Sequence, residues 1–461
     1  MMSPLALSQM QFAMTSTYHF FFVPLTLGLG LIVAILETIA YRTKNQNYLE
    51  MAAFWSRLWV INFAIGVATG IVMEFQFGMN WSEYSRFVGD IFGIPLAIEA
   101  LMAFFLESTF LGLYLFGRNK LPKAIHLATV WLTVGGATIS SLWILVANSW
   151  MQEPVGYVLR NGRAEMTDFF AAVLSPHVWV QFPHVVFGAW AAGGFLVMGI
   201  SAWHVLRQHR LELFVPSLKV GLTVGLLASF AIATSGHEQA QHTAKSQPMK
   251  LAAMEALWET EKPASFSFFS VIDQENRSSS REVKFPGLLS LLANNNLTGE
   301  VKGLNDLQRE AEAKYGAGDY LPPVALTYWS FRAMVGIGML MILTGLVGMF
   351  LWWRGQLERS KWYLNTLRLV MLAPIGAIAT GWAVTEFGRQ PWIVQGLMKT
   401  ADAVSPNLTA TDVLITVVGF GLLYTVLIVA NVYLMRKYAL MGTDGRQAPA
   451  AVHDLGGVHV Y

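Results

Sequence analysis

Four side chains able to bind iron stand in or beside long apolar runs of this sequence. His19 lies in TSTYHFFFVPLTLG, His184 in QFPHVVFGAW, Met334 after Arg332 in YWSFRAMVG, and Glu386 closes WAVTEF just before GRQPW. Imidazole, thioether and carboxylate are all haem-iron or metal ligands. The chain contains no cysteine, which excludes thiolate-ligated haem, cysteine-bound iron–sulfur clusters and disulfides. Glu99 and Glu107 form a second set. Eight residues apart on one apolar run, about two helical turns, they share a face. A charge inside a membrane span costs roughly 2.5–3.5 kcal/mol on insertion scales, so two stacked carboxylates suggest a proton relay. Plainer roles stay open on position alone. Each His fits an interfacial residue, Met334 fits core filling, Glu386 with Arg389 fits an interfacial ion pair, and the two glutamates fit a polar helix contact.

Lipid-spanning helices must position these groups. Of 461 residues, 54% are hydrophobic and 13% charged, against about a quarter charged in soluble domains. Apolar runs near the required length of about 20 residues fall at roughly 17–41, 54–77, 93–116, 126–148, 183–206, 215–236, 326–353, 366–386 and 411–435. The expected fold is therefore all-α, a polytopic membrane protein with nine transmembrane helices and one long external loop. Every second loop is basic, as with Arg42 and Lys44, Arg118, Lys120 and Lys123, and Arg207 and Arg210. The positive-inside rule then puts the N-terminus outside and the C-terminus in the cytoplasm. No basic n-region or cleavage site precedes the first run, which is expected to remain as a span. A net charge of +2 argues against a nucleic-acid partner. The expected division is residues 1–236 for six helices, 237–325 for the loop, 326–437 for three helices and 438–461 for a cytoplasmic tail. Within the loop, Gln247 to Glu261 reads as an amphipathic helix. With this orientation His19, His184, Met334 and Glu386 all lie within about two turns of the external face, a depth that permits one cofactor cluster.

The motifs resemble subunit I of the cytochrome bd quinol oxidases, of the branch with a short quinol loop. The resemblance runs through MEFQFGMNWS at Met73–Ser82, SSLWILVANSWMQ at Ser140–Gln152, HVVFGAW at His184, SFRAMVG at Ser330 and GRQPW at Gly388. It implies a catalytic subunit that oxidises ubiquinol or menaquinol and reduces oxygen to water. Proton-motive force would come from proton uptake and release on opposite faces, without pumping. The implied cofactors are two haem b, one low-spin and one high-spin, and one haem d, or haem b in its place. His184 and Met334 look like the axial pair of the low-spin haem. His19 and Glu386 look like single ligands to the other two, with Arg332 and Arg389 among the cofactor-binding residues and Trp382 against the haems. Glu99 and Glu107 resemble the family's proton-delivery carboxylates, with Ser108 and Ser140 as hydroxyl way-stations. Lys250 and Glu255, in KLAAME, match the pair implicated in quinol oxidation; without the resemblance they read as an ordinary solvated pair. The implied partners are a homologous second subunit, a small single-span subunit, oxygen and lipid, in a bacterial or archaeal cytoplasmic membrane. The alternatives are a haem-b-only relative and, from another class, a proton or ion transporter using Glu99 and Glu107. His237, followed by Glu238, stands where some members carry an acidic residue. His237 and His242 are five apart and read as surface or quinol-site histidines, because the sequence offers no third metal ligand.

Overall fold

Residues 2–443 are described by a computed structural model of the chain. Among them are nine helices long and apolar enough to cross a membrane: Pro4–Thr43, Gln46–Met79, Ser82–Gly117, Lys123–Gln152, Pro176–Leu206, Leu211–Ser246, Val324–Trp353, Lys361–Phe387 and Ala410–Met441. They are called the first to ninth spans below. Each contains its expected apolar run and overshoots it, since backbone hydrogen bonding continues the helix where side chains turn polar. The first span starts at Pro4, with Ser3 as its N-cap. The sixth runs on to Ser246, so His237 and His242 belong to a helix and not to the loop. The ninth ends at Met441; the rest of the expected tail, from 444, lies outside the described residues.

Short connections make neighbouring spans antiparallel. The first, fifth and sixth spans are the most enclosed, and the eighth and ninth the least. Lipid tails are as apolar as leucine, so close packing must hold such helices together. Gly28 on the first span and Gly193 on the fifth meet backbone to backbone, where an added Cβ would overlap main-chain atoms. Trp55, Trp59, Phe195 and Phe214 fill the adjoining core.

The third span departs from regular helix. Residues Glu99–Phe104 form a π-helical segment between Ser82–Ile98 and Phe105–Gly117. Such wide turns insert one residue into a helix and recur at functional sites.

The 247–323 connection is folded. A helix over Pro248–Glu255 ends where Ala256 adopts φ 50°, earlier than the expected end at Glu261. A hairpin pairs Phe266–Asp273 with Ser278–Phe285. Two further helices follow at Leu288–Asn294 and Leu304–Tyr315. Leu251, Leu257, Trp258, Leu289 and Leu304 form a core of their own, closed on the bundle side by Val324 and Tyr328 of the seventh span.

Candidate functional site

Three of the four proposed iron ligands, His19, His184 and Met334, sit against a small residue on a neighbouring helix. Thr69 of the second span lies 2.9 Å from Nδ1 of His19, and Gly70 leaves the space beside the ring, where an added Cβ would stand 3.1 Å from Cε1. The fifth and sixth spans repeat the arrangement. Ser235 Oγ lies 3.2 Å from His184 Nδ1, and a Cβ on Gly236 would stand 3.0 Å from His184 Cε1. Engaging Nδ1 fixes the ring and leaves the Nε2 edge for a metal, the usual role of a partner behind a ligating histidine. Met334 on the seventh span packs on Gly381 of the eighth, where a Cβ would meet Sδ at 2.9 Å. Trp382 stacks on Phe20, with ring centroids 4.7 Å apart and an interplanar angle of 20°.

Glu386 is part of a polar network at the loop end of the bundle. It pairs with Arg389 and accepts from Asn148 Nδ2 at 2.9 Å and Gln152 Nε2 at 3.4 Å. Asn148 Oδ1 accepts from Gln181, which accepts from Ser149. The Gln152 carbonyl oxygen Oε1 accepts from Lys250 Nζ at 2.7 Å and Gln247 Nε2 at 3.1 Å. One amide therefore joins the loop lysine to the Glu386 carboxylate. Arg389 is buried, and among the described residues its Nη1 has no hydrogen-bond partner.

Lys250 and Glu255 are 5% and 3% exposed, which overturns the solvated reading. They do not pair with each other. Glu255 forms an ion pair with Arg332, Oε2 to Nη2 2.6 Å. Arg332 also donates from Nε to the Ser267 carbonyl at 2.5 Å and lies over the rings of Phe266 and Tyr328. Burial pushes the Lys250 ammonium down to about 7, with the Arg389 charge adding to the effect. Burial likewise raises the Glu255 carboxyl to about 7, against the opposing pull of Arg332.

The carboxylates of the third span face the fourth. Ser140 donates to Glu99 Oε1 at 2.6 Å. Glu107 is buried, its backbone against Gly136, one turn from Ser140. Ser108 instead donates to the Phe105 carbonyl of its own helix. His237 contacts Gln241, not His242.

The donor set fits haem. Two histidines with free Nε2 edges, a thioether and a carboxylate are ligands that haem iron takes. The orphaned buried guanidinium nitrogen of Arg389 matches a propionate, since a buried charged donor without a partner is costly. Sequence reasoning missed Gln152 and Asn148 as contacts of Glu386, Gln181 behind Asn148, and Glu255 as the partner of Arg332. Neutral amides carry no charge signal, and the ion pair joins residues distant in the chain.

Residues 7–443 match the family model described as cytochrome bd terminal oxidase subunit I. The chain is 51% identical over 444 residues to a Bacillus subtilis protein named cytochrome bd ubiquinol oxidase subunit 1, covering 96% of this chain and 95% of that one. It is 40% identical over 511 aligned positions to cytochrome bd-II ubiquinol oxidase subunit 1 of Escherichia coli, covering 98% and 99%. Among solved structures, the bd oxidase of Geobacillus thermodenitrificans superposes with a TM-score of 0.86 at 29% identity, covering 95% of this chain and 98% of that one.

Proposed function

Because the chain belongs to the cytochrome bd terminal oxidase subunit I family, whose members are quinol oxidases, we propose that Lys250 and Glu255 bind and deprotonate quinol beside the iron site that Glu386 serves. The observation that carries this reading is the run Lys250–Gln152–Glu386, buried at Lys250 and Gln152, with its 2.7 Å and 3.4 Å hydrogen bonds. It supports one continuous site in which substrate oxidation lies next to the electron acceptor.

Lys250 Nζ holds a quinol oxygen through its ammonium protons, and Glu255 accepts a quinol proton at a carboxylate oxygen. Arg332 steadies the ionised form of Glu255. Three of the five guanidinium N–H groups of Arg332 are engaged, and the rest remain for a haem propionate two residues from Met334. His184 and Met334 would hold the low-spin haem b. His19 and Glu386 would each hold one of the other two haems, a high-spin haem b and a haem d. When bound, these haems supply electron transfer and oxygen activation; a single protein ligand leaves an iron position open. Glu107, and then Glu99 with its hydrogen bond from Ser140, would hand cytoplasmic protons outward along the third span toward that region. Gly136 keeps the fourth span close enough to exclude bulk water from this path.

Loop charge supports an external N-terminus and external quinol loop. Protons released at Glu255 then leave on one face while those passing Glu107 enter from the other, so turnover separates charge without a pump. A homologous second subunit, and a small single-span one, would cover the exposed spans. Reduced-minus-oxidised optical spectra of the purified complex test the cofactors. A far-red chlorin band is expected from haem d. Haem b bands alone would assign the haem-b-only form, and a complex with no haem overturns the proposal.

A further inference from the structure

Where the fourth, fifth and sixth spans end beside the quinol loop, three groups converge that the oxidase reading does not use. Glu153 caps the fourth span, His177 lies in the first turn of the fifth, and His242 in the last turns of the sixth. His242 Nε2 lies 2.7 Å from Glu153 Oε2, and His177 Nδ1 lies 3.7 Å from the same oxygen. The three donor atoms all fall within 4.8 Å of one another. The two imidazole rings meet edge to face, with centroids 5.2 Å apart.

His177 makes this more than an ion pair. The residue is 3% exposed, yet among the described residues its Nδ1 has no hydrogen-bond partner at normal length. A buried polar atom left so is costly, and something must normally satisfy it. Two imidazoles and one carboxylate from three helices are also the donor set of a three-ligand zinc site with an open fourth position. A tetrahedral ion with bonds of about 2.0–2.2 Å separates its donors by roughly 3.4 Å. The observed separations bracket that value, so small ring rotations close the site. With no cysteine in the chain, no thiolate competes for such an ion.

We propose that Glu153, His177 and His242 form a binding site for a divalent transition-metal ion of the zinc class, tying the ends of three spans together. Gln152, the neighbour of Glu153, holds Lys250, so the ion sits one residue from the amide that links the loop to Glu386. A metal held there fixes the helix end that carries Gln152. The site stands independently of the oxidase reading, because its donors are not the proposed haem ligands.

The test is calorimetric titration of the chelator-stripped, purified oxidase complex with Zn²⁺ alone, with X-ray absorption at the zinc edge. One saturable equivalent is expected, with two imidazole nitrogens and a carboxylate oxygen in its shell. His242→Ala, on the least buried of the two rings, and Glu153→Gln should each lose that one equivalent while the haem spectra stay intact. Equal zinc stoichiometry in wild type and both variants, or no saturable binding, overturns the proposal. A histidine-free shell does so too.

Discussion

Glu255 of the loop helix and Arg332 of the seventh span stand 77 residues apart in the chain and form a 2.6 Å ion pair, both nearly sealed from solvent. Removing one member of such a pair strands a buried charge and costs about 3–5 kcal/mol. Arg332→Leu is therefore expected to loosen the loop. Limited proteolysis should cut within 247–323 faster than in wild type. Equal cutting rates in Arg332→Leu and wild type would count against the latch.

If Lys250 and Glu255 carry the proposed quinol roles, quinol oxidation is expected to be bell-shaped in pH. Glu255, raised to about 7, accepts a proton only when ionised, so the rate climbs as pH rises through that value. Lys250, lowered to about 7, holds quinol oxygen through its charge only when protonated, so the rate falls again above it. The apparent values belong to the pair. Glu255→Gln should remove the acid limb and Lys250→Met the alkaline one. A profile unchanged in both variants would sink the assignment.

Met334→Leu is expected to abolish the low-spin haem signal in reduced-minus-oxidised spectra and leave the other haems in place. Gly381→Ala should act in the same direction, because its methyl would stand 2.9 Å from Sδ. A low-spin spectrum unaltered in both would remove Met334 from the ligand set.

Glu107→Gln should lower steady-state oxygen consumption by at least tenfold at unchanged haem content, about 1.4 kcal/mol or more on the barrier. Ser140→Ala, which removes one 2.6 Å hydrogen bond to Glu99, should slow turnover less. Normal oxygen consumption in Glu107→Gln ends the proton-delivery reading.

The spans were legible because lipid demands long apolar runs, and that demand is written residue by residue. The candidate ligands were legible for the same reason: His19, His184 and Glu386 are conspicuous beside apolar neighbours. What joins them was not. Gln152 is a neutral amide at the end of a motif, and its contact with Lys250 closes over 98 residues. The π segment at Glu99 has no compositional mark. His237 and His242 looked like a candidate pair by spacing, yet the partners of His242 come from two other helices. The loop core was hidden because helices as short as Leu288–Asn294 are too brief to print a periodicity.

The loop is latched to the bundle at two separate points, Lys250 on the fourth span and Glu255 on the seventh. A flap fastened at one point swings; this one is held at both, and also by the Arg332–Ser267 bond and the apolar seam against Val324 and Tyr328. On the proposed function, quinol would then reach Lys250 sideways between helices from the lipid, as a drawer enters a cabinet, and its hydrophobic tail would stay in the bilayer.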